Sequence, residues 1–81
     1  MITYSNHFLE QIKTRNINEQ DIENTFLNPD NIIIEDNLEV YQKIIVTNDK
    51  EYLLRIFVNA VKEPPVAVTA YKTSKIIKYY F

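Results

Sequence analysis

The hydrophobic rhythm of this chain changes at Pro29, and that change restricts the fold more than any other feature. From Ser5 to Thr14 the apolar residues Phe8, Leu9 and Ile12 recur at helical spacing, with Ser5 or Asn6 as the capping residue. Asn16 stands where a left-handed residue would stop that helix, and Ile17 beside it can touch Ile12. Asn18 then caps a second helix. In that register Asp21 lies near the positive end of the helix dipole, Ile17 packs on Ile22, and Ile22, Phe26 and Leu27 form the inner stripe. Pro29 closes the segment, because its ring pushes the preceding residue out of helical geometry.

Beyond Pro29 the period is two. "NIIIED", "EVYQKIIVT", "EYLLRIFVN" and "VAVTAYKT" are β-branched and aromatic runs, separated by Asp36-Asn37, by Asn48-Asp49 and by the loop holding Pro64-Pro65. Four consecutive strands with short links read as an antiparallel meander, and "MITY" supplies a short fifth strand at an edge. The tail from Ser74 fits either a capped helical turn or an extension of the last strand. The expected fold is α+β, with two N-terminal helices on one face of the sheet in a two-layer sandwich. With no glycine in the chain, Asn, Asp and Pro must make every tight turn.

Eighty-one residues suffice for one domain, spanning 1–81. There is no cysteine and one histidine, too few ligands for a zinc site of the usual kind, so no metal and no other cofactor is expected. The chain shows neither a signal-peptide pattern nor a stretch of membrane-crossing length, which gives a cytoplasmic expectation. Net charge is -2, yet residues 1–42 hold two basic side chains against eight acidic ones, and residues 43–81 hold seven against three. Such a two-ended chain fits either a basic binding face backed by an acidic one or a chance distribution in a small domain.

Alternation within the strands nominates that face. Tyr41, Lys43, Arg55, Thr69, Tyr71 and Thr73 fall on one side, open to solvent, provided no bulge flips a strand. Leu53, Ile45 and Phe57 add apolar surface to the nominally polar side, and the closing "IIKYYF" is apolar enough to dock on the sheet or on a second chain.

"YSNHFLEQIKTRNI", "NPD", "YQK", "YLLRIFV" and "VTAYKTSKIIKY" together resemble the small bacterial family called domain of unknown function 4258, and the resemblance runs nearly end to end. That family is similar to the RelE-like toxins, so the resemblance implies a compact toxin-type domain that cuts RNA without metal and is held in check by an antitoxin protein. The family pattern near the first helix resembles H-x-x-x-R-x-x-x-R-G-[IV]. His7 and Arg15 fit it, whereas Gln11 stands in place of the first arginine and Asn16 in place of the glycine.

Metal-free RNA cleavage needs a base for the 2′-hydroxyl, an acid for the leaving oxygen, and cations for the charge that builds on phosphorus. His7 is the natural proton shuttle, Arg55 the phosphate clamp, and Tyr71 a proton donor or stacking platform. Arg15, Lys43, Thr69, Thr73 and Lys75 are the matching RNA-binding residues. Each also has an ordinary reading, as a solvated charge or a strand-forming residue. The competing function is a non-catalytic protein-interaction module, a regulator or immunity-type protein that works as a homodimer or binds a partner.

Overall fold

The computed structural model describes residues 1–80. The elements run β1 (Thr3–Tyr4), α1 (Asn6–Thr14), α2 (Glu19–Leu27), β2 (Asn31–Glu35), β3 (Leu38–Thr47), β4 (Lys50–Asn59), β5 (Val66–Thr73) and α3 (Ile76–Tyr80). The two helices before Pro29 form where their caps direct. Ser5 accepts a hydrogen bond from the Phe8 N–H at 3.0 Å, and Asn18 accepts one from the Gln20 N–H at 2.7 Å. Between them Asn16 adopts φ 54°, and the Ile17 N–H returns to the Ile12 carbonyl at 2.8 Å. That bond and the one from Asn16 to Lys13 close a Schellman stop without glycine.

The strand-bearing half is organised by two hairpins with two-residue turns. Such turns need two consecutive left-handed residues, and Asp36 (φ 53°) with Asn37 (64°), then Asn48 (53°) with Asp49 (63°), provide them. The turns lock register, so that Gln42 lies opposite Arg55 and Tyr41 opposite Ile56. A bulge between Phe57 and Val58 shifts β4 against β5, after which Arg55 faces Tyr71 and Leu53 faces Thr73.

The sheet has five strands in the order β1-β5-β4-β3-β2. The expected meander of β2 to β5 is present. The purely antiparallel sheet is not, because β1 runs parallel to β5. Sequence neighbours favour hairpins, but β1 and β5 are separated by most of the chain and are free of that constraint. A third helix, α3, also lies over part of the sheet face opposite α1 and α2.

Phe8, Ile12, Ile17 and Ile22 from the helical segment bury themselves against Ile45, Leu54, Ile56, Val58, Ala67 and Ala70. Full burial of one side chain such as Phe8 contributes about 2–3 kcal/mol. Phe26, Tyr41 and Tyr52 line the margin of this core, whereas Leu27, expected in the inner stripe of the second helix, faces solvent at the end of α2, where Thr25 is buried instead. The opposite face carries a smaller buried set, Val40, Gln42, Leu53, Arg55 and Phe57.

This arrangement corrects three expectations about the faces. Tyr41 and Lys43 project toward the helices, since their cross-strand partners are the core residues Ile56 and Leu54. Arg55 is 1% exposed rather than open to solvent. Leu53, Ile45 and Phe57 form no exposed apolar patch: all three are buried, Ile45 in the helix-side core and the other two beside Arg55. The cause is common to all three. β3 has apolar and polar residues on both faces, so alternation alone does not orient it, and both faces turn out to be covered.

Candidate functional site

Two polar groupings stand out, and the expected site residues are divided between them. The first surrounds Arg55. Its position in the middle of β4 places the guanidinium between Gln42 of β3 and Tyr71 of β5. Nε donates to Gln42 Oε1 at 2.6 Å, one terminal nitrogen to the Tyr71 hydroxyl at 2.5 Å, and the other to Glu35 Oε2 at 2.6 Å. Gln42 passes the chain on, donating from Nε2 to Asn31 Oδ1 at 2.8 Å and to the Tyr79 carbonyl at 3.2 Å. Asn31 in turn donates to the Tyr80 carbonyl at 2.8 Å.

Aromatic rings enclose the charge. The guanidinium carbon lies 4.6 Å from the Tyr79 ring centroid, 5.3 Å from Phe57 and 5.6 Å from Tyr71. Burial by itself would lower the pKa of Arg55, but hydrogen bonds to Glu35 and Tyr71 outweigh it and the net shift is upward. The cation is therefore held fast. All three faces of its donor fork are engaged by the protein, so it joins β4, β3, β2 and α3 into one unit rather than waiting for a phosphate.

The second grouping lies where α1 crosses the edge of β5. Gln11 Oε1 accepts from the Ala70 N–H at 3.0 Å and from the Thr69 hydroxyl, while Arg15 donates to the Ala70 carbonyl at 2.7 Å. Because the Gln11 oxygen is committed to Ala70 and Thr69, its amide nitrogen must be the donor in the 2.8 Å contact with His7 Nε2. Neutral His7 then carries its ring proton on Nδ1. Gln11 of α1 and Arg15, which caps it, thus supply the strand partners that β1, only two residues long, does not reach.

The remaining candidates are scattered. Lys43 binds the Asn28 carbonyl at 2.9 Å and lies 3.7 Å from Asp30, beside the end of α2. Thr73 accepts from the Lys75 N–H at 3.0 Å, an ordinary turn ahead of α3, and the Lys75 side chain is exposed. The structure accordingly brings Arg55 to Tyr71, and His7 to Thr69 and Arg15 through Gln11 and Ala70. Lys43, Thr73 and Lys75 join neither network.

Glu35, Gln42, Asn31 and Tyr79 were not expected in any site. Gln42 was accessible to reasoning, since counting outward from the turn at Asn48-Asp49 sets it opposite Arg55. Glu35 and Tyr79 meet Arg55 only through the tertiary fold, and nothing local in the sequence marks them.

Among the described residues, no three His, Asp or Glu side chains gather as metal ligands, and no helix is long and apolar enough to cross a membrane. No curated protein matches the chain, and no solved structure does. A family model does match, over residues 4–77, which takes in the whole grouping around Gln11 and the Arg55 grouping apart from Tyr79 and Tyr80. The chain belongs to the family described as Domain of unknown function (DUF4258).

Proposed function

We propose that this protein is a non-catalytic protein-interaction module. The observation that supports this reading most is the state of Arg55. The residue best suited to clamp a phosphate is buried, and Glu35, Gln42 and Tyr71 engage its donors. A phosphate would have to displace the Glu35 carboxylate at 2.6 Å and the Tyr79 ring that covers the guanidinium at 4.6 Å. Apolar surface is open to a partner on β2, in contrast, where Ile32 and Ile34 are 48% and 70% exposed on one face of the strand.

The test is incubation of bulk RNA with the protein in the presence of chelator. Intact RNA is the expected result, and cleavage by the wild type that disappears in His7→Ala would overturn the reading. A second reading, the metal-independent ribonuclease of RelE-like toxins, keeps one observation in its favour. His7, Thr69 and Arg15 converge around Gln11 and Ala70 at the solvent-facing edge of β5, where a base, a hydroxyl and a cation lie together. On that reading RNA would lie along the edge of β5, and Arg55→Ala would act through folding rather than chemistry.

A further inference from the structure

β2 ends the sheet, and no described strand lies on its outer side. Its hairpin with β3 closes through the two-residue turn Asp36-Asn37, so Glu35 and Leu38 form the hydrogen-bonded pair that flanks the turn. Alternation from there directs the backbone N–H and C=O of Ile32 and Ile34 away from β3. Ile32 and Ile34 are also the exposed side chains of the strand. They stand on the same face as their partners Tyr41 and Glu39, and the Tyr41 ring meets Phe26 of α2 at a centroid distance of 5.1 Å. An unpaired backbone edge and an apolar shelf therefore coincide.

The charge around that edge is predominantly acidic, with Lys43 3.7 Å from Asp30 as the one cation at its start. Between Asn16 and Gln42 there are seven acidic residues and no lysine or arginine. Asp30 and Asp36 flank β2, Glu39 stands beside Ile34, and Glu23 lies near Phe26. The Tyr41 phenol, raised above its ordinary value by burial and by the Glu39 carboxylate, senses the same field.

Resting on the module reading above, the geometry points to a specific occupant: an extended, lysine- or arginine-bearing segment of a partner protein, which adds to β2 as a sixth strand. Its apolar side chains would lie on Ile32 and Ile34, and its cations would meet Asp36 and Glu39. A second copy of the chain fits poorly. Its own β2 edge offers Asp36 and Glu39 and has no lysine or arginine within β2 to answer the same acids on the other copy.

Fluorescence anisotropy with synthetic peptides tests this. One peptide alternates valine with lysine, a second alternates valine with glutamate, and a third is the lysine peptide with alternate backbone amides methylated. The lysine peptide should bind the wild type at least about tenfold more tightly than the glutamate peptide. Methylation should abolish that binding, and Ile34→Lys, a change at an exposed position, should weaken it about tenfold while leaving the circular dichroism spectrum unchanged.

Failure of the lysine peptide to bind, equal binding of both charge types, or indifference to methylation would each overturn the proposal. So would a dimer in sedimentation that Ile34→Lys dissolves, because a second copy would then be the occupant. If the peptide results fail while RNA stays intact in chelator, the β2 assignment falls and the module reading survives. RNA cleavage lost in His7→Ala removes the module reading itself.

Discussion

The two edges of the sheet are treated in opposite ways. At the β5 edge, Gln11 takes the Ala70 N–H and Arg15 takes the Ala70 carbonyl, so both backbone groups of that residue are satisfied by side chains of α1 and of the residue that caps it. At the β2 edge no described strand covers the outer side, and Ile32 and Ile34 remain exposed among acidic residues. A sheet edge left unpaired invites another strand, and proteins ordinarily blunt it. One edge is closed by design of the helix; the other is left open with charge as its only guard.

The open edge is nevertheless firmly held from within. Arg55 reaches across β3 to Glu35 near the end of β2, and Gln42 reaches Asn31 at its start. Both ends of the exposed strand are thus tied to the buried cation. The largest expected effect of substitution lies here. Arg55→Ala should cost about 3 kcal/mol in urea unfolding, because it strands the buried Gln42 side chain and removes the charge that Glu35 answers. Hydrogen exchange should quicken along β2 more than along β5. Equal quickening at both edges would show that the network does not anchor β2 selectively.

A smaller effect is expected from opening the closed edge. Gln11→Ala leaves the Ala70 N–H and the Thr69 hydroxyl without their acceptor and should cost about 1–2 kcal/mol. It should also create a second adhesive edge, seen as self-association in sedimentation beyond that of the wild type. If Gln11→Ala sediments as the wild type does, the capping of β5 by Gln11 fails and the edges no longer differ.

The phenols sharpen the contrast through pH. Burial raises the pKa of Tyr41, with Glu39 adding to it, and burial raises that of Tyr4, with Glu23 and Glu19 adding to it. Both rise from an ordinary value of 10.0, so the unfolded chain ionises first. Stability should be full below that value and fall as pH rises through it. Tyr41→Phe should make the melting temperature fall less steeply in that range, and an unchanged slope would mean that neither burial nor Glu39 holds the Tyr41 phenol protonated.

The smallest expected change is at the hairpin itself. Asn37 has φ 64°, a region glycine enters without cost, so Asn37→Gly should stabilise by about 0.5 kcal/mol in the same urea assay. A loss of stability would mean that the Asn37 side chain has a role beyond its backbone angle.

Local chemistry determined a great deal of this protein from sequence. The caps at Ser5 and Asn18, the glycine-free stop at Asn16, the hairpins at Asp36-Asn37 and Asn48-Asp49 and the meander they impose depend on residues adjacent in the chain, and all were legible there. Tertiary structure decided what distant residues do to one another. It set β1 parallel beside β5, folded α3 over the second face, and thereby turned Arg55 from a surface cation into a buried anchor. The physical reason is that the facing of a strand with polar and apolar residues on both sides is fixed by what covers it, and the covering residues, Glu35 and Tyr79, come from elements that share no local sequence signal with Arg55.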